Sequence, residues 1–161
     1  MPNGRIILGI DPGYDICGFG VISDSYGQST HLRHGVIRPP KAELSQRLLY
    51  LHTALADLVK EVNPDVVGLE RLYFTNNAKT AINVGQARGV ILLTLAQQGL
   101  DVKEFTPLEI KQAITGFGQA PKEQIQKMVQ MILKLDALPT PDDAADGLAI
   151  ALCTAQHLGR V

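Results

Sequence analysis

Apolar and polar positions follow two rhythms along this chain, and the rhythms outline its elements. Arg5-Ile6-Ile7-Leu8-Gly9-Ile10-Asp11 is a near-continuous apolar run that ends on an acid. Such a run predicts a central strand buried on both faces. Strand-like stretches follow over Cys17–Ser23 and Ser29–Arg38, joined by a polar Asp24–Gln28 turn, so the opening predicts an antiparallel meander. Leu44, Leu48, Leu51, Leu55, Leu58 and Val62 then recur at alternating spacings of four and three, one apolar stripe on an amphipathic helix. Asn63-Pro64 stops that helix. Asp65–Glu70 is a second short buried strand ending on an acid, followed by a polar, aromatic loop and a helix from about Asn77 to Gln98. A short strand over Asp101–Phe105, a short helix near Leu108–Ile114 and a flexible Gly116–Ala120 loop come next. Pro121 and Pro141 each suit the first position of a further helix, the former with Ile125, Met128, Val129 and Ile132 facing inward.

Three strands, then helices alternating with short buried strands, predict an α/β fold. A strand, a helical crossover and another buried strand make parallel neighbours. The natural solution is a mixed five-stranded sheet flanked by helices on both faces. A chain of 161 residues suits one domain over 1–161. No apolar run approaches the ~18 residues of a membrane span, and Met1-Pro2-Asn3-Gly4 is unlike a signal peptide, so the expected compartment is the cytoplasm. Cys17 and Cys153 lack the spacing of a zinc site and are too few for a disulfide framework, so both are expected as reduced packing residues. The four histidines are scattered and predict no metal site.

The acids change the picture. Asp11 and Glu70 end two strands expected to be parallel neighbours, which brings both carboxylates out at one sheet edge, where open α/β sheets hold their sites. The last helix opens Thr140-Pro141-Asp142-Asp143. Thr140 can cap it, and early acids suit its positive end. Capping does not account for Asp146, which sits in the apolar run Ala144–Leu152 three residues after Asp143, on the same helix face. Ala144, Ala145 and Gly147 are small enough to let that face approach the sheet closely. Together, Asp11, Glu70, Asp143 and Asp146 repel one another unless cations bind. An all-carboxylate site favours Mg²⁺ or Mn²⁺, and two such ions about 4 Å apart suit phosphodiester hydrolysis. The net charge of −1 argues against a generic nucleic-acid binder, but without these four and Asp142 there are 11 acidic residues against 15 basic ones.

Gly9-Ile10-Asp11-Pro12-Gly13 with Gly18-Phe19-Gly20-Val21, Glu70 after Val67-Gly68-Leu69, Gly85-Gln86-Ala87-Arg88-Gly89, and Asp143-Ala144-Ala145-Asp146-Gly147-Leu148-Ala149 together resemble the RuvC family of Holliday-junction-resolving endonucleases, from about Ile6 to His157. The resemblance implies a ribonuclease-H-like fold and a homodimer that makes paired nicks in four-way junction DNA with two Mg²⁺ or Mn²⁺ ions per active site. It implies Asp11, Glu70, Asp143 and Asp146 as catalytic metal ligands and the RuvA–RuvB branch-migration complex as a partner. The family varies at the Asp143 position, where some members carry histidine. Asp142 is then a cap or a substitute ligand.

For DNA, the resemblance implies that Tyr73 stacks on an unpaired base at the crossover and that Lys111 and Lys122 contact the scissile strand. Phe74, Lys79 and Arg88 are further candidates. Tyr73 and Phe74 can equally staple their loop to the core, the lysines can be ordinary surface residues, and Arg88 can be structural. Ala81, Gly85 and Gly89 form a small-residue stripe. Each interior glycine costs a helix ~1 kcal/mol against alanine, so the stripe is expected at a dimer interface. Three other readings stay open: an ATP-binding domain of the actin-like fold, whose first phosphate loop resembles Gly9–Gly20; a nuclease of the YqgF group acting on structured RNA; and a non-catalytic junction-binding protein.

Overall fold

The computed structural model describes residues 4–71 and 77–159. Strands β1 (Arg5–Asp11), β2 (Cys17–Ser25) and β3 (Gln28–Ile37) form the expected meander. It turns tightly at Tyr26 and Gly27, both at positive φ. Helix α1 (Leu44–Val62) crosses over to β4 (Val66–Glu70), and α2 (Ala78–Gln97) leads to β5 (Val102–Phe105). The sheet order is β3-β2-β1-β4-β5, with β4 parallel to both β1 and β5. Three helices close the chain: α3 (Pro107–Thr115), α4 (Lys122–Leu133) and α5 (Asp142–Leu158). No described helix is long and apolar enough to cross a membrane.

The two-residue period of the strands divides the interior. Leu8, Ile10, Val67 and Leu69 meet α1 and α2 on one face. Ile7 and Val66 meet α3, α4 and α5 on the other. Gly9 and Gly68 share that second face, and there the backbones nearly touch. A Cβ built on Gly9 would lie 2.1 Å from the Gly147 carbonyl oxygen, and one on Gly20 would lie 2.4 Å from the Leu148 nitrogen. A Cβ on Gly147 would in turn lie 2.5 Å from the Phe19 carbonyl carbon. Glycine on both surfaces lets α5 press onto β1 and β2 at a distance that any side chain would prevent. The small residues around Asp146 therefore do what the sequence predicts.

Several local expectations need correction. Pro121 and Pro141 are extended N-cap residues with no capping side chain, so neither occupies the first helical position, and Thr140 does not cap α5. Helix α4 turns Leu133 inward instead of Ile132, which is 39% exposed, because its buried residues recur every four positions as Ile125, Val129 and Leu133. Helix α3 starts earlier than expected, held by a reciprocal cap between Thr106 and Glu109. On β3 an extra residue, Leu32, interrupts the ladder between Val21 and Ile22. The bulge brings His31 and His34 together, Nε2 to Nδ1 at 2.8 Å. Burial, then the His34 charge, holds the His31 pKa below its ordinary value.

Candidate active site

Pairing of Gly9 with Gly68 and Ile10 with Leu69 carries Asp11 and Glu70 side by side to the ends of β1 and β4. By the same alternation both fall on the α5 face of the sheet. The first turns of α5 present Asp143 and Asp146 to them. Carboxylate oxygens of Asp11, Asp143 and Asp146 lie within 4.8 Å of one another, and Asp11 is hydrogen-bonded to both Glu70 and Asp146. Asp11, Glu70 and Asp146 line a cleft of about 250 Å³ whose other walls include Pro107, Ile110 and Lys111 of α3 and its approach, and Lys122 and Ile125 of α4.

Electrostatics confirm that this is a strained assembly of acids. Burial, then the charges of Glu70 and Asp146, pushes the Asp11 pKa up to about 10. Burial also raises Glu70 above its ordinary value, although the Asp11 hydrogen bond, Lys111 and Arg88 oppose it. Asp146 is raised by burial against the pull of Lys122. Burial and mutual repulsion therefore favour a proton shared within this hydrogen-bonded group of acids, centred on Asp11. This donor set fits a hard divalent cation: oxygen ligands only, converging from three elements, with negative charge that the protein alone leaves under-compensated. Any cation binding here must displace that proton.

Of the other expected residues, Lys111 and Lys122 are brought to the cleft. The Lys122 ammonium lies 3.6 Å from both Asp142 and Asp146. Burial works against its charge, but Asp146, Asp142 and Asp143 outweigh burial and hold its pKa above the ordinary value. Asp142 is exposed and reaches Lys122 rather than the acid cluster. Lys79 is exposed on the first turn of α2 and is not among the cleft residues. Tyr73 and Phe74 lie outside the described residues.

Two arginines support the acids from behind. Arg88 donates to the Glu70 carbonyl and pairs with Glu104, which holds the end of β4 and gives the arginine a structural part. Arg47 was not legible as important, because it lies beside the apolar stripe of α1, where an ordinary polar residue would stand. It is buried, and it donates to Pro40 O and Tyr14 O at 3.0 Å each and to Asp15 at 3.1 Å, with its guanidinium over the Tyr14 ring. Arg47 thereby ties down the loop that follows Asp11. Cys17 and Cys153 are both buried, as expected of packing residues.

A family model described as "Crossover junction endodeoxyribonuclease RuvC" matches residues 7–154. The chain belongs to the RuvC family. RuvC proteins of Moorella thermoacetica and Thermosipho melanesiensis are 50% and 52% identical to it, over 93% and 92% of this chain and 90% and 96% of theirs. Among solved structures, Thermus thermophilus RuvC in complex with a Holliday junction substrate superposes with a TM-score of 0.91 at 31% identity, covering 97% of this chain and 96% of that one. The yeast mitochondrial Holliday junction resolvase Ydc2, at 14% identity and a TM-score of 0.67, shares the fold. With these matches the mixed sheet described above is the ribonuclease-H-like fold, as the resemblance implied.

Proposed function

We propose that this chain is a structure-selective endodeoxyribonuclease that resolves four-way DNA junctions by paired symmetric nicks, in homologous recombination and DNA repair. The observation that carries the reading is the convergence of Asp11, Glu70, Asp143 and Asp146 at one sheet edge, in a chain that superposes over nearly its full length on a RuvC bound to a Holliday junction.

In this reading residues 1–161 form one nuclease domain, and the four acids hold two Mg²⁺ or Mn²⁺ ions. When bound, the ions supply an activated water and charge stabilisation for the leaving oxygen. The protein's part is positional. Asp11 and Glu70 are fixed by the pairing of β1 with β4, and Asp143 and Asp146 by the contact of α5 with the sheet. Lys111 of α3 and Lys122 of α4, both lining the cleft, take the phosphates flanking the scissile bond. Lys79 contacts the backbone farther out, and Tyr73 stacks at the crossover with Phe74 beside it. A duplex arm held this way offers no sequence information, so selectivity comes from junction shape.

A homodimer places two such sites on a nearly two-fold substrate. Its support lies on α1 and α2, where Leu49, Tyr50, Ile82 and Leu93 are each at least 45% exposed, and where a Cβ on Gly89 would meet only open space. The RuvA–RuvB complex as a partner follows from the family resemblance, and cytoplasmic placement follows from a chromosomal substrate.

The test is a synthetic four-way junction labelled on each strand, with Mg²⁺, Mn²⁺ or EDTA. Symmetric paired nicks that require metal, with little cutting of linear duplex, are the expected result. Binding without nicks under either metal would leave a recognition protein instead. Asp146→Asn is expected to bind the junction while cutting slows on the order of a thousand-fold, because several kcal/mol of metal-supplied stabilisation go with it. Normal cutting by that variant would remove Asp146 from the site.

A further inference from the structure

The loop between α3 and α4 is built with more care than a connector needs. Gly116 closes α3 at a φ of +76°, donating its N–H to Gln112 O. At Gly118 the chain has doubled back, so that a Cβ there would lie 2.4 Å from the Leu108 Cδ1 and 3.9 Å from the Leu108 carbonyl oxygen. Gly116 is thus explained by its backbone conformation, and Gly118 by the Leu108 side chain packed against it. Between them, Phe117 is clamped along its main chain. Its N–H donates to Thr115 Oγ1 at 3.1 Å. Its carbonyl accepts from the Ala120 N–H at 3.2 Å and lies 2.9 Å from the Thr115 hydroxyl, whose single proton it shares with Lys111 O at 2.8 Å.

The ring itself does none of this work. Phe117 is 58% exposed, and its neighbour across the loop, Leu108, is 53% exposed. A rigid backbone that holds an aromatic ring out to solvent is the reverse of what core packing produces. Its place in the fold narrows the purpose. Leu108 directly follows Pro107, a wall of the acid cleft, and the loop joins the two helices that carry Lys111 and Lys122. Phe117 and Leu108 therefore stand as two exposed apolar residues, a step just outside the residues that line the cleft, on the elements that carry the two cations.

Nucleic-acid grooves that combine cations with a ring hold phosphates with the former and a base face with the latter. We propose that Phe117 stacks on a nucleobase of the strand being cut, next to the scissile phosphate, with Leu108 as the floor of the step. This rests on the junction-cutting reading and adds to it a second aromatic contact, on the α3–α4 side of the cleft. The ring fixes the position of the strand relative to the acids. Its loss is expected to affect the cutting step and not only affinity.

The chain has no tryptophan, so Phe117→Trp introduces a single indole reporter. In an Asp146→Asn background, to keep DNA uncut, its emission is expected to fall when a four-way junction is added. In parallel, Phe117→Ala with intact acids is expected to slow metal-dependent nicking about ten-fold or more, the lower part of the range for losing one base stack. Phe117→Trp with intact acids restores the rate, and both variants keep the wild-type melting temperature. Unchanged indole emission on a bound junction, or an alanine variant cutting within two-fold of wild type, overturns the proposal. Wild-type protein in the same assay separates the two readings, since failure of wild type to nick junctions would be a failure of the nuclease reading itself.

Discussion

Asp11 carries the most perturbed charge among the site carboxylates, and its titration gives a prediction with a definite sign. Its pKa is 3.8 in ordinary surroundings and about 10 here, raised by burial and by its acidic neighbours. Between those values the folded chain binds more protons than the unfolded one, so the metal-free protein loses stability as pH rises through that window. Asp11→Asn removes the titrating group. In EDTA near pH 8 it is expected to melt about 5 °C higher than wild type, corresponding to roughly 2 kcal/mol for a chain of this size, while nicking is abolished. A calorimetric scan that showed the variant melting lower at pH 8, or with a pH slope equal to that of wild type, would contradict the assigned proton. Metal binding opposes the same trend, since it releases the proton and is favoured at higher pH. The stabilisation conferred by Mg²⁺ is therefore expected to grow from pH 6 to pH 9.

At the scale of elements, the contact between α5 and the sheet decides where two of the four acids stand. Gly20→Ala places a methyl group where the Leu148 nitrogen now lies 2.4 Å from the built Cβ. The helix must shift to admit it. Overpacking of this kind costs about 1–3 kcal/mol, and displacing a reacting group by about 1 Å costs on the order of a hundred-fold in rate. Denaturant melts and single-turnover nicking together check that activity falls much further than stability. The sequence foretold this contact because its agents are compositional: glycines in the strand motifs and Ala144, Ala145 and Gly147 around Asp146. The meander and the parallel pairing of β1 with β4 were legible for a similar reason, as continuous apolar runs separated by an amphipathic helix admit few topologies. The bulge at Leu32 was not, because an inserted residue leaves no mark on a polar edge strand. Arg47 was missed because its partners are backbone carbonyls of segments distant in sequence, which no local pattern announces. The N-cap prolines were misplaced by a single residue, within the reach of any boundary read from periodicity.

For the whole molecule, the two faces of the sheet divide the labour. One carries α3, α4 and α5 with the acids, the two lysines and the exposed Phe117 step. The other carries α1 and α2, whose outward apolar residues are the surface proposed for a second copy. Leu93 is 57% exposed on that surface. Leu93→Asp buries an unpaired charge if two copies meet there, and is expected to raise the dimer dissociation constant by about a hundred-fold or more, about 3 kcal/mol. Sedimentation at micromolar concentration would read the change. Junctions treated with the variant are then expected to show uncoordinated single nicks. A variant that sediments like wild type would move the interface elsewhere.

The glycine-to-backbone contact under α5 also bears on ionic radius. A carboxylate cluster on long side chains or mobile loops can breathe to suit a cation of any size, whereas this one is set by a helix that cannot come closer and has little reason to lift away. Mg²⁺ demands near-octahedral ligands at about 2.0–2.1 Å, while Ca²⁺ accepts about 2.3–2.6 Å in looser arrangements. A stiff spacing therefore makes the cluster a gauge: Ca²⁺ is expected to occupy it and compete, without supporting nicks. Widening the gauge by one methyl group, as in Gly20→Ala, should move the preference toward the larger of two active ions, so that the ratio of Mn²⁺-supported to Mg²⁺-supported cutting rises even as both rates fall.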